Sequence, residues 1–203
     1  MAKTNPCATL EGSVGWCQGR TSLPGIRRRI YYISKSKVLK FPELMRDEDG
    51  NIVAPCYNDE IVIAADAVWH YIDVLPDKCQ LTSDAQGEYP SQTQLNKLTA
   101  VHPGVDERAT MLASFINNND CLFLVEDMEG RGRLLGNDCY STKATVAQDL
   151  GQGPTGTTST TLNVEVTDAV PAPFVRRPIL TEDGEVSFKN PLDSFDFLND
   201  SVD

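Results

Sequence analysis

The chain is short of the residues that most often perform catalysis. It has only two histidines. His70 follows Trp69 in an apolar stretch, His102 precedes Pro103, and we interpret both as structural. The chain also lacks H-E-x-x-H, G-x-S-x-G, a P-loop and a G-x-G-x-x-G that opens a helix after a strand. The sequence therefore predicts a protein that is not an enzyme.

Positive charge is also scarce. Lysine and arginine number 18 against 29 acidic residues, which gives a formal net charge of −11 at pH 7. Because nucleic-acid affinity depends on clustered cations, this balance argues against a surface that tracks phosphates. The exception is the run Arg27, Arg28 and Arg29. We interpret this run as charge on a solvated strand edge, where it discourages edge-to-edge pairing. A basic contact patch is the alternative.

Long apolar runs are missing as well. No stretch approaches the roughly 20 apolar residues of a membrane-spanning helix. Residues 1–6 lack the apolar core of a signal peptide. We therefore expect no membrane partner and synthesis in a cytoplasm without signal-peptide secretion.

The cysteines and carboxylates show no metal-site spacing. None of the six cysteines forms a C-x-x-C pair, so no zinc ribbon or redox motif is expected. We expect reduced thiols, with Cys121 acting as a small buried hydrophobe; a disulfide between Cys7 and Cys17 is the alternative. The acidic stretches 47–49 and 126–127 match no calcium loop and are typical of solvated turns. The sequence thus predicts no metal and no cofactor.

What the chain does contain is β-strand pattern, clearest between residues 160 and 167. Leu162, Val164 and Val166 alternate with polar residues, which indicates a strand with one buried and one wet face. Gly and Pro punctuation bounds this strand on both sides. The same reasoning predicts further strands at residues 26–34, 61–64, 67–75, 79–83, 121–126, 133–136 and 140–149, and a hairpin turn at 47–51.

Two segments favour a helix. The stronger one spans Asp106 to Asn118, where Asp106 is a suitable N-cap. Its predicted packing face contains Met111, Leu112, Phe115 and Ile116. The weaker segment is 92–101, where leucine or valine recurs at every third position.

These elements divide the chain into three parts. Residues 1–25 are rich in Gly, Pro, Ser and Thr and are interpreted as an extended arm that orders against a neighbour. Residues 26–175 form a mainly β domain, a β-sandwich or barrel with a flanking α-helix. Residues 176–203 are interpreted as an acidic C-terminal tail with spaced aromatic residues. Such a tail is most often flexible, although it can also dock in a partner's groove.

Several stretches resemble the tail tube (major tail) protein family of long-tailed bacteriophages and related prophages. The similarity covers about residues 1–175 and lies in the arm followed by Leu23–Ile33, in Ala85–Leu98, in the central helix and in Thr161–Val166. The resemblance implies a β-sandwich or half-barrel subunit that forms hexameric rings. The rings stack into a tube, in a virion tail assembled in the host bacterial cytoplasm.

The resemblance also implies the partners. The subunit would contact its own copies and other tail proteins, with DNA only as cargo passing through the lumen. Negative charge suits such a lumen because it repels phosphate. In this assembly the subunit-interface candidates are Arg27, Arg28 and Arg29, facing carboxylates of another subunit, together with Trp16 in the arm.

Two other functions remain open on the sequence. One is a surface-binding β-sandwich, such as a carbohydrate-binding or adhesin-like module, which would need an exposed aromatic platform. Trp16, Trp69 and Tyr71 are the candidates for that platform, although Trp69 and Tyr71 suit a core equally well. The other is a different virion part, such as a head–tail joining or tail-completion protein.

Overall fold

A computed structural model describes residues 18–19, 21–46, 48, 50 and 52–189. Trp16, most of the predicted arm and residues 190–203 lie outside this set. The described chain is mainly β, as predicted, with one α-helix, α1 (Glu107–Ile116), and short 3-10 helices at Lys35–Lys37 and Pro76–Lys78. The strands are β1 (Ile26–Ser34), β2 (Val38–Lys40), β3 (Leu44–Arg46), β4 (Ile52–Tyr57), β5 (Val62–Ile63), β6 (His70–Asp73), β7 (Gln80–Gln86), β8 (Thr93–Pro103), β9 (Cys121–Asp127), β10 (Gly132–Leu135), β11 (Lys143–Asp149), β12 (Ser159–Asp168), β13 (Phe174–Val175), β14 (Ile179–Thr181) and β15 (Gly184–Val186).

Seven strands form the larger sheet, in the order β3-β4-β13-β10-β9-β1-β6. Its centre is fully enclosed, since every residue of β9 from Cys121 to Val125 is 0% exposed. Phe123 packs into one hydrophobic core and Leu124 into another on the opposite face. Alternate side chains of a strand point to opposite faces, so this sheet is buried on both sides.

A second sheet has four strands, in the order β11-β12-β8-β7. It consists of two hairpins joined by an antiparallel ladder that runs the whole length of β12. Leu162, Val164 and Val166 are buried, whereas Asn163 and Glu165 are exposed. The alternation predicted for this strand is confirmed, and the four-stranded sheet has one face in the core and one in solvent.

The two sheets pack face to face. Their shared core takes Ile30 and Phe123 from the larger sheet, Leu98 and Val164 from the four-stranded sheet, and Ile116 from α1. This arrangement agrees with the predicted β-sandwich. A third layer, made of the strand pairs β2–β5 and β14–β15, packs on the other face of the larger sheet around the second core.

Helix α1 begins where the sequence predicts. The Asp106 carboxylate accepts a hydrogen bond of 2.6 Å from the backbone N–H of Ala109, as an N-cap should. Its predicted packing face is confirmed for Ile116, which is 1% exposed, and for Leu112, which packs against the core, but not for Met111 and Phe115, which are 75% and 40% exposed. The buried residues are Ala109, Ala113 and Ile116. No helix in the described part of the chain is long and apolar enough to cross a membrane.

The helix predicted for residues 92–101 is wrong, because residues 93–101 belong to strand β8. Leu98 points inward and is 1% exposed, while Leu95 and Val101 lie on the opposite face and are only partly buried. The three-residue spacing therefore does not mark one packing face. Pairing with β12 on one side and β7 on the other holds β8 extended.

Residues 176–189 belong to the folded body, although their composition predicts an acidic tail that begins at residue 176. They contain the β14–β15 hairpin, and Phe188 is only 8% exposed in the second core. The ring of Phe188 lies against Gly132, where a Cβ would come within 2.8 Å of it. The remaining part of the predicted tail, 190–203, lies outside the described residues.

Candidate assembly surfaces

The three consecutive arginines lie in a β-bulge. Ile26 pairs with Asp127 and Ile30 with Val125, so three residues of β1 stand opposite Glu126 alone on β9. Such a bulge breaks the ladder locally and redirects side chains. The predicted position on a strand edge is wrong, because β1 lies between β9 and β6 inside the larger sheet.

Arg27 forms an ion pair within its own chain. Its Nη1 lies 2.7 Å from Oε1 of Glu126, whose side chain is 15% exposed. Burial raises the pKa of Glu126, and the neighbouring Arg27 opposes that rise. The charge of Arg27 therefore compensates the buried carboxylate of Glu126.

Arg29 also forms ion pairs within the chain. It lies 3.0 Å from Asp73 and 2.8 Å from Asp183, and its guanidinium stacks over the Tyr71 ring at 3.9 Å. Asp183 occupies the turn between β14 and β15, so Arg29 ties that hairpin to β6. These ion pairs are half exposed, and the contact acts mainly to orient the hairpin.

Arg28 differs from its neighbours. Its carbonyl accepts a 2.7 Å hydrogen bond from the N–H of Val74, but its exposed side chain forms no ion pair with any residue in the described ranges. The three arginines line a shallow depression of about 500 Å³ together with Tyr31, Asp73 and Glu126. Of the predicted interface arginines, Arg28 alone keeps a free guanidinium; Trp16 lies outside the described residues.

The solvent face of the four-stranded sheet is a second candidate surface. Strand alternation and the register place polar side chains on it almost throughout, with Leu95 and Val101 as the large apolar exceptions. The outward polar residues are Gln80, Thr82, Asp84, Gln86, Thr93, Lys97, Thr99, Lys143, Thr145, Asp149, Ser159, Thr161, Asn163, Glu165 and Thr167.

The polar face carries three carboxylates, Asp84, Asp149 and Glu165, against the two lysines Lys97 and Lys143. Lys97 lies 3.5 Å from Asp84, and Lys143 stands directly opposite Glu165 in the β11–β12 register. Neutral hydrogen bonds cross the strands elsewhere, such as the one from Thr99 to Asn163 at 3.1 Å and that from Gln86 to Thr167 at 2.7 Å. The face offers phosphate no cluster of cations.

The two outer strands of this sheet have unequal edges. In the described residues β7 pairs only with β8, and β11 only with β12. On β11, the Asn117 side chain at the end of α1 accepts from the Val146 N–H at 2.7 Å and donates to the Val146 carbonyl at 3.2 Å. The helix thus shields part of the β11 edge, whereas β7 presents the more open edge for strand pairing.

An aromatic binding platform does not form from the predicted residues on β6. Trp69, just before the strand, is 1% exposed inside the second core, and Tyr71 is covered by Arg29. The two histidines also have structural contacts, since His102 Nδ1 donates to the Asp73 carbonyl at 2.6 Å and His70 Nδ1 contacts Glu182.

The described cysteines are unpaired thiols, at positions 56, 79, 121 and 139. Burial raises the pKa of Cys121 to about 11, which agrees with its predicted role as a small buried hydrophobe. Cys7 and Cys17 lie outside the described residues. Among the residues that the structure describes, no three His, Cys, Asp or Glu side chains are grouped so as to hold a metal ion.

Sequence reasoning missed most of what defines these surfaces. The alternation in β12 indicates one wet face, but only the register shows that β7, β8 and β11 extend it. The partners of Arg27 and Arg29 lie 44 to 154 residues away along the chain, apart from any local signal. Comparison with protein-family models, curated proteins and solved structures finds no match to this chain.

Proposed function

We propose that the protein is a structural subunit that polymerises as stacked rings into a phage tail tube through which DNA passes. The observation that carries this proposal is the four-stranded sheet, which has one face in the core and a broad polar face in solvent, where three carboxylates and two lysines nearly balance. Its outer strands, β7 and β11, pair on one side only within the described residues. Copies placed side by side would satisfy those edges.

The size of the sheet suits a lumen. If six copies, the number that the family resemblance implies, each contribute four strands, the closed wall contains about 24 strands. Barrels of about 16–18 strands already leave an aqueous channel. The polar face would then line a wide pore, and the larger sheet with its third layer would form the outer body.

The electrostatics suit passage of DNA. Acidic and basic side chains on the polar face are nearly matched in number, and the whole chain carries −11. A wall without clustered cations releases no counterions from DNA, so the duplex meets little attraction and can slide. The rival surface-binding module loses support, because Trp69 is buried rather than displayed.

Electron microscopy of the purified protein in negative stain tests the proposal, with sedimentation over a wide concentration range. Rings or tubes with a central channel are expected in the micrographs. The sedimentation coefficient should increase with protein concentration. A protein that stays monomeric at every concentration and salt, with or without other tail components, would overturn it.

A further inference from the structure

The depression around the arginine bulge contains one guanidinium without an ion-pair partner among the described residues. Three arginines line it with Asp73 and Glu126, and Asp183 adds a third carboxylate through its ion pair with Arg29. Glu126 pairs with Arg27, and Asp73 pairs with Arg29. The guanidinium of Arg28 is therefore the group of this depression that is available to an acidic ligand.

The chain leaves the described fold at the rim of this depression. The Lys189 N–H donates to the Gly130 carbonyl at 2.8 Å. A Cβ placed on Gly130 would lie 3.6 Å from the Lys189 Cβ and 3.4 Å from Nη2 of Arg27. Phe188 packs edge-on against Tyr31, with ring centroids 6.4 Å apart, and Tyr31 itself lines the depression.

The segment that follows has the composition of that ligand. Residues 190–203 read NPLDSFDFLNDSVD, with aspartates at 193, 196, 200 and 203 and no lysine, arginine or histidine. We propose that residues 190–203 of the chain's own C-terminal segment dock in the depression, with an aspartate paired to Arg28. Because the segment leaves the fold at the rim of the depression, its effective concentration there is in the millimolar range. Docking within one chain is therefore favoured over docking of a second copy.

The phenylalanines of this segment suit the same surface. Phe195 and Phe197 flank Asp196, and aromatic rings stack readily on arginine guanidinium groups. The described fold already uses this contact, with Arg29 over Tyr71 at 3.9 Å and Arg133 over Phe174 at 4.0 Å. A carboxylate and a ring from one short segment can therefore engage the bulge together.

Limited proteolysis of the full chain with chymotrypsin at low salt tests this docking, because the enzyme cuts after Phe195 and Phe197. Mass spectrometry identifies those cuts. Arg28→Glu should speed them by about two- to fivefold, the range that an exposed ion pair supports. The matched control is Lys40→Glu, which reverses an exposed charge on β2 and should leave the rate unchanged.

A second set of substitutions lies only in residues 190–203, so it leaves the sequence of the described fold unchanged. Asp193→Asn with Asp196→Asn changes only the segment and should also speed cleavage, and Asp196→Lys should restore slow cleavage in the Arg28→Glu protein. Equal rates in all variants would overturn the proposal. Protection that rises with protein concentration would assign the depression to a second copy and overturn docking within one chain.

Docking of residues 190–203 does not depend on the proposed tube and is measured on dilute protein. The effect of docking on polymerisation, in contrast, rests on the proposed function. If Arg28 also contacts the neighbouring subunit, the segment and the neighbour compete for one guanidinium. The Asp193→Asn, Asp196→Asn protein should then polymerise at a lower concentration than the parent, whereas unchanged polymerisation with faster cleavage would separate the two roles.

Discussion

The two large sheets are buried in different ways. In the larger sheet both faces are covered, and residues of β9 on either side are 0% exposed. In the four-stranded sheet inward residues such as Val164 are 0% exposed while Thr99, on the other face, is open to solvent. A sheet buried on both faces offers no open face for contact, only local surfaces such as the arginine bulge at the end of β1, whereas a one-sided sheet leaves a whole face available.

The largest expected effect on stability comes from removing a buried side chain from the larger sheet. Phe123→Ala removes a fully buried ring from β9 and should lower the free energy of unfolding by about 3–5 kcal/mol. Phe115→Ala is the matched control on α1, where the ring is 40% exposed; about 1 kcal/mol is expected. Urea denaturation measures both. Equal losses would show that the helix contributes its ring to the core, as the sequence pattern first suggested.

The one-sided character of the four-stranded sheet can be tested by exchanging valine and threonine on β12. Val164→Thr buries a hydroxyl in the shared core and should cost about 1–3 kcal/mol. Thr161→Val makes the reverse change on the polar face and should alter stability by no more than about 0.5 kcal/mol. Thermal unfolding of both variants measures the contrast. A large loss from Thr161→Val would mean that the outer face is covered in the isolated protein.

Agreement between predicted and observed strands does not follow the division between the two sheets, since β1 lies in the larger sheet and β8 in the four-stranded one. The limits predicted for β1 match the structure, and those for β12 agree to within a residue, because alternation and flanking Gly and Pro residues are local signals. β8 was missed because its outward face includes Leu95 and Val101, which obscure the alternation. Only the strands on both sides of β8 settle its conformation, and these are distant in sequence.

The arginine bulge shows the same limit for the candidate site. The sequence indicates the cluster, but the bulge exists because Ile26 and Ile30 both reach the core while β9 supplies a single residue between their partners. Which arginine stays free depends on carboxylates brought in from β6, β9 and the β14–β15 turn. No local pattern contains that information, so the three arginines were equivalent in the sequence.

A smaller effect is expected at the shielded edge of the four-stranded sheet. Asn117→Ala removes both hydrogen bonds to the Val146 backbone and should cost about 1 kcal/mol. It should also increase self-association, because it exposes the β11 edge. Asn119→Ala is the control, since that side chain bonds only the Phe115 carbonyl within its own helix end. Light scattering and thermal unfolding measure the two effects, and identical behaviour of both variants would contradict the shielding.

The smallest effect on stability is expected at Arg28. Arg28→Glu breaks no ion pair with a described residue and should change the free energy of unfolding by no more than about 0.5 kcal/mol. Arg27→Glu should cost more, because it places a second carboxylate beside Glu126. Calorimetry of the two variants makes the comparison. A larger loss from Arg28→Glu would show that its side chain supports the fold of the larger sheet.

The same substitution separates a protein contact from a nucleic-acid contact. Under the tube proposal Arg28 meets carboxylates of another subunit, so Arg28→Glu should weaken assembly at low salt, and high salt should mute the difference by screening. DNA affinity should be low in both proteins, because Arg28 is the one arginine of the bulge without an ion-pair partner in the described residues and the chain carries −11, so few phosphate contacts can form. A gel-shift assay that shows tight duplex binding by the parent, lost in Arg28→Glu, would instead make the bulge a DNA site. That result would reverse the comparison between the sheets, since the larger sheet would then bind DNA and the polar face would not.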